Sequence, residues 1–132
     1  MNYLLDTSVL IAIRKRKSAK QEISAAIDLD KSSLHITLLS FAEYYYGAFA
    51  SPSESKEDCL RFLNGYEHLS LAKGGAMLHA ELRHKYKKNG LTFGDIDLLN
   101  ACIAIDNNMS LITADKSFRR IEELKTIMVN PQ

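Results

Sequence analysis

Four acidic residues, Asp6, Glu43, Asp97 and Asp115, stand where the pattern of this 132-residue chain changes from strand-like to helix-like. Carboxylates at such junctions have two uses. Each can cap a helix by accepting hydrogen bonds from its free N–H groups. If several converge, they can hold a divalent cation and activate water. Asp6 lies in Tyr3-Leu4-Leu5-Asp6-Thr7-Ser8-Val9-Leu10-Ile11: an apolar run, one acid, two hydroxyls and a second apolar run. That order reads as buried strand, turn and buried helix. Asp6, Thr7 or Ser8 would serve as the cap, so this stretch alone leaves both uses open.

The other three acids carry the same ambiguity. Ser40-Phe41-Ala42-Glu43 fits a capping box, in which Ser40 caps a helix and Glu43 reaches back to it. Gly94-Asp95-Ile96-Asp97 opens a helix over Leu98 to Ile105 with two acids where the helix dipole calls for one. Asp115 follows a strand over Met109 to Thr113.

The elements between them decide whether the acids meet. A helix is expected over Ala19 to Ile27 and a strand over Leu34 to Thr37. Ser51-Pro52-Ser53-Glu54 reads as a helix start, with Pro52 in the first helical position and Gly65 as the stop. His68 to Leu71 alternates as a strand. Gly74 and Gly75 introduce a helix with Leu78, Leu82 and Tyr86 on one face, ended by Asn89-Gly90. A short helical return through Phe118, Ile121 and Leu124 precedes a last strand over Thr126 to Val129. This alternation predicts an α/β fold, a central parallel β-sheet flanked by α-helices. Open α/β sheets form their ligand crevice at the carboxyl ends of the strands. Asp6, Glu43, Asp97 and Asp115 then share one crevice.

Two carboxylates about 5 Å apart repel by about 3 kcal/mol at an effective dielectric near 20. Four together require protons or a cation. Oxygen donors without thiolate or imidazole favour Mg²⁺ or Mn²⁺ over zinc. His35 reads as a strand residue, and His79 and His84 as helix-surface residues. Asn100, one turn beyond Asp97, is placed to hold a metal-bound water.

Bulk composition sets the frame. With 46% hydrophobic and 25% charged residues, the chain fits one domain over 1–132. Lys and Arg number 17 against 16 Asp and Glu, so a nucleic-acid footprint would have to be local. Arg14-Lys15-Arg16-Lys17 is one such run, either a solvated face or a set of phosphate contacts. The C-terminal part of the Leu78 helix, with Lys85, Lys87 and Lys88, is another. Cys59 and Cys102 have no metal or redox spacing and read as reduced core thiols of a cytoplasmic protein. The sequence shows no export signal, and its apolar runs are too short for a membrane span.

Taken in order, these blocks resemble a known family. Leu4-Leu5-Asp6-Thr7-Ser8-Val9-Leu10-Ile11, Ile36-Thr37 with Glu43-Tyr44-Tyr45-Tyr46-Gly47, Asp97-Leu98-Leu99-Asn100-Ala101-Cys102-Ile103-Ala104, and Leu111-Ile112-Thr113-Ala114-Asp115 with Phe118 and Ile121 are similar to PIN-domain ribonucleases. Within that family they resemble the VapC-type toxins of VapBC toxin–antitoxin pairs. The resemblance covers nearly the whole chain and implies a PIN-like fold and an endoribonuclease using one or two Mg²⁺ or Mn²⁺ ions. It implies that Asp6 and Asp97 are the main metal ligands, that Glu43 binds a second ion or orients water, and that Asp115 completes the pocket. Ser8 would help hold Asp6, and Asp95 would be a flanking acid. Asn100 stands where the family usually has an apolar residue, and Cys102 replaces an alanine. The resemblance further implies RNA as substrate, a homodimer, and a VapB-type antitoxin whose basic side chain fills the acidic groove. Two competing readings are an aspartyl phosphotransfer enzyme built on Asp6, which lacks a second acid two residues on, and a non-catalytic binding module whose acids cap helices.

Overall fold

A computed structural model describes residues 1–51 and 54–130. Among them, strands β1 (Asn2–Leu5), β2 (Ser33–Thr37), β3 (Glu67–Leu69), β4 (Ser110–Thr113) and β5 (Thr126–Met128) form one sheet. It is parallel throughout, in the order β3-β2-β1-β4-β5. The helices are α1 (Thr7–Lys15), α2 (Lys17–Ala26), α3 (Leu38–Ala50), α4 (Lys56–Leu63), α5 (Lys73–Lys88) and α6 (Asp95–Asp106), with two short 3-10 turns. Among the described residues no helix is long and apolar enough to cross a membrane. The α/β architecture expected from the alternating pattern is the one observed.

The central strand is apolar on both faces because helices cover both sides of the sheet. Successive side chains alternate across it. Leu5 and Ile112 enter a core with Val9, Leu10, Ile36 and Leu63. Leu4 and Leu111 enter another with Leu82, Leu98, Ile103 and Phe118. In the second core, α5 lies close against α6, and a Cβ on Gly74 would collide with the Asp106 carboxylate. The two glycines expected to precede α5 therefore sit inside its first turn, where their lack of a side chain leaves room for the Asp106 carboxylate and the Leu71 side chain.

Two helix starts differ from expectation. Thr37, the last residue of β2, caps α3, its hydroxyl accepting from the Ser40 N–H at 3.0 Å. Strand passes to helix without a loop, so Ser40 falls inside the first turn and is buried. The Ser40–Glu43 capping box is thus absent, and Glu43 is free for another use. The fourth helix begins at Lys56, with Ser55 accepting from the Asp58 N–H at 3.1 Å, rather than at the Ser51-Pro52 position. Pro52 and Ser53 lie outside the described residues. His79 is half-buried rather than a surface residue, and His35 is buried in β2 beside Glu67, 3.5 Å away.

Candidate active site

The register Leu5↔Ile112 places Asp6 one residue beyond the end of β1, next to the end of β4. Its backbone N–H continues the ladder by donating to the Ile112 carbonyl at 3.2 Å. The residue is 2% exposed. One oxygen accepts from the Ser8 hydroxyl at 2.7 Å and from the Val9 N–H at 3.3 Å, which makes Asp6 the cap of α1. The other accepts from the Thr113 hydroxyl at 2.9 Å. Ser8 and Thr113 in turn accept from the backbone N–H groups of Ala114, at 3.1 Å, and Asp115, at 3.0 Å. Two hydroxyls thereby lock Asp6 to the loop that carries Asp115. Thr113 was not among the sequence-derived site residues. Its signal was its position at the end of a strand paired to β1.

Burial raises the Asp6 carboxyl to about 6 despite the three hydrogen bonds that favour its charged form, and the Asp97 charge adds to the rise. Asp97 lies half-buried in the first turn of α6. Its own pKa is pushed up by burial, then by the charges of Asp115 and Glu43. Asp97 therefore links the group: its charge acts on Asp6, and the charges of Asp115 and Glu43 act on it. None of the four joins an ion pair among the described residues.

Glu43, exposed on the second turn of α3, accepts from the Thr7 hydroxyl at 2.6 Å. It lines a recess of about 250 Å³ with Gly94, Asp95 and Asp97. Gly94 leaves that recess open, since a Cβ there would press to 3.3 Å of an Asp97 oxygen. Asp115 also caps the 3-10 turn Lys116–Arg120, accepting from the Ser117 N–H at 2.9 Å. Asp95 is exposed on the rim. Among the described residues no three Asp, Glu, His or Cys side chains are already gathered as a metal cage.

Asn100 has a different use from holding water. Its amide is buried, accepting from the Thr37 hydroxyl at 2.6 Å and donating to the Ser40 hydroxyl at 2.9 Å. These bonds brace α6 against the start of α3, and so fix the helix of Asp97 relative to the helix of Glu43. Asn100→Ala would leave two buried hydroxyls without this partner and open a small cavity. A loss of about 3 kcal/mol in unfolding free energy by urea titration is expected.

The basic run divides. Arg14 pairs with Glu54, which also accepts from the Tyr44 hydroxyl at 3.2 Å, and its guanidinium lies 4.9 Å from the centre of the Phe62 ring. Arg16 pairs with Glu22 at 3.3 Å and donates to the Asn130 carbonyl. Both are structural ties, although Arg14 and the exposed Lys15 line a groove of about 340 Å³ that reaches Thr7 and Glu43. The side chain of Lys17 lies outside the described residues.

Comparison with known proteins accords with this geometry. The sequence profile of the PIN domain matches residues 3–124. Ribonuclease VapC2 of Rickettsia felis is 31% identical over 130 residues, covering 94% of this chain and 95% of that protein. Ribonuclease VapC1 of Haemophilus influenzae is 30% identical, covering 95% and 96%. The fold superposes on VapBC-1 from nontypeable Haemophilus influenzae with a TM-score of 0.83 at 27% identity, covering 97% of this chain and 98% of that one. It also superposes on VapBC2 from Rickettsia felis, solved bound to a promoter DNA fragment, with a TM-score of 0.82 at 25% identity and the same coverage. The chain belongs to the PIN domain family, where its relatives are VapC ribonucleases.

Proposed function

We propose that this protein is a Mg²⁺- or Mn²⁺-dependent endoribonuclease, the toxin of a type II toxin–antitoxin pair. The observation that carries the reading is electrostatic: burial and neighbouring acid charge raise the proton affinity of Asp6 and Asp97, the charges of Glu43 and Asp115 act on Asp97, and among the described residues no cationic side chain pairs with any of the four. An all-oxygen donor set suits a hard divalent ion that keeps several waters. One or two such ions would supply charge neutralisation and a more acidic water. Asp6 and Asp97 would be the main ligands. Glu43, aimed by Thr7, would orient the attacking water or hold a second ion, and Asp115 would act through water. In the hydrolysis, water oxygen bonds to phosphorus and the bond to the 3′ oxygen breaks, giving a 3′-hydroxyl and a 5′-phosphate. Ser8 and Thr113 keep the Asp6 carboxylate from turning away during these steps.

The VapBC complexes among the structural relatives support a protein antitoxin as partner. A basic side chain from it would satisfy the same acids by charge-assisted hydrogen bonds. A homodimer acting in the cytoplasm completes the proposal. The phosphotransfer alternative fits less well, because the residue two beyond Asp6 is Ser8, whose hydroxyl is spent on the Asp6 carboxylate, rather than a second acid.

The test is incubation of antitoxin-free protein with total cellular RNA in Mg²⁺, in Mn²⁺ and in EDTA. Discrete cuts with either metal and none in EDTA are expected. Equal cutting in EDTA would remove the metal from the proposal, and no cutting in any arm would remove the nuclease.

A further inference from the structure

A nuclease must hold its polyanionic substrate on either side of the cut, and cations already paired with acids are poorly placed to do so. Arg14, Arg16 and Lys85 are paired, with Glu54, Glu22 and Glu123. Arg83 and Lys87 are not: among the described residues their side chains form no ion pair or hydrogen bond. They are exposed on α5 four residues apart, hence on one face, where like charges repel. Both line a cleft of about 120 Å³ between the end of α5 and the loop into α6.

The rest of the cleft suits a nucleotide. Gly90, at φ +80°, turns the chain back, and the Leu91 N–H donates to the Tyr86 carbonyl at 2.8 Å. The loop then presents Thr92, an exposed hydroxyl, and Phe93, a half-buried ring held perpendicular to Tyr86 at 5.6 Å between centres. Aromatic surface beside cations is the combination that binds single-stranded RNA, stacking a base while neutralising its phosphate. The cleft also adjoins the acids. Asp95 lines it and lines the recess of Glu43 and Asp97 as well.

We propose that this cleft is the nucleotide subsite adjoining the cleavage crevice, with Arg83 and Lys87 holding a backbone phosphate next to the scissile one and Phe93 contacting its base. Asp95, between the two, repels phosphate from the shared rim and directs it to the cations. The proposal rests on the ribonuclease reading above.

The test compares wild type with Arg83→Ala/Lys87→Ala and with Lys31→Ala/Lys125→Ala, which removes the same charge at the opposite edge. Lys31 and Lys125 lie at the amino ends of the strands, their carbonyls accepting from the Met1 amino group and the Leu111 N–H. Binding of a fluorescent oligo(U) of about 20 nucleotides is followed by anisotropy across a salt series, beside cleavage of total RNA in Mg²⁺. The Arg83/Lys87 variant is expected to bind about tenfold more weakly at ~50 mM salt. Its log–log salt slope should be shallower by about 0.7, the value for one released phosphate on a single strand. Lys31/Lys125 should behave as wild type. Equal behaviour of the two double variants, with wild type still binding and cutting, overturns the subsite alone. A wild type that neither binds nor cuts RNA overturns the ribonuclease reading and the subsite with it.

Discussion

Asp97→Asn is expected to lower metal-dependent RNA cleavage by at least about 10³-fold without unfolding the protein. The size follows from what the charge would do. A ligand that helps localise a divalent ion contributes several kcal/mol to the transition state, and about 4 kcal/mol corresponds to that factor. The fold should persist because no described hydrogen bond or ion pair depends on the Asp97 carboxylate, and the residue is half-buried rather than in the core. Removing its charge also relieves its repulsion with Asp115 and Glu43. Steady-state cleavage of the mapped RNA, beside thermal unfolding of the same preparation, checks both halves.

Asp6→Asn should make the metal-free protein more stable at about pH 7.5 while abolishing cleavage. The Asp6 pKa rises from 3.8 to about 6 on folding, chiefly through burial. Folding therefore favours the protonated form. The contribution of Asp6 is fully present below its unfolded pKa and is lost as pH rises from about 4 through about 6. Ionisation at neutral pH costs about 3 kcal/mol relative to acid conditions. Asparagine avoids that cost and remains a good helix cap. Its oxygen can accept from Ser8 and Val9, and its NH₂ can donate to Thr113 once that hydroxyl turns. In EDTA the variant should gain about 1–3 kcal/mol over wild type near pH 7.5, and the gain should vanish near pH 4, as read by urea unfolding at both pH values. A variant less stable than wild type at both would mean that the Asp6 hydrogen bonds outweigh the charge.

The parts of this molecule that were legible in the sequence share a cause: local pattern and topology agree there. Leu4 and Leu5, then Asp6, announce a buried strand and its carboxyl end, and alternation of elements forces the other acids to the same edge. Helix starts were harder to read, because several hydroxyls compete to cap. Thr37 prevails over Ser40 since β2 runs straight into α3, a continuity that spacing does not reveal. Asn100 looked like a partner for water because it follows Asp97 by a turn, yet two hydroxyls from another helix claim its amide. Likewise Arg14 and Arg16 read as free cations until Glu54 and Glu22, distant from them in pattern, fold against them. Cross-chain partners of this kind are set by packing, and no local signal carries them.

The central claim is that the four acids form one cation-binding cleavage centre, and calorimetric titration of Mn²⁺ into the antitoxin-free protein at about pH 6, in two buffers of different ionisation enthalpy, tests it most directly. The account predicts one or two bound ions, proton release on binding because Asp6 is partly protonated near that pH, and loss of binding in Asp97→Asn. Undetectable Mn²⁺ binding by wild type, or binding that Asp97→Asn leaves unchanged, would contradict it.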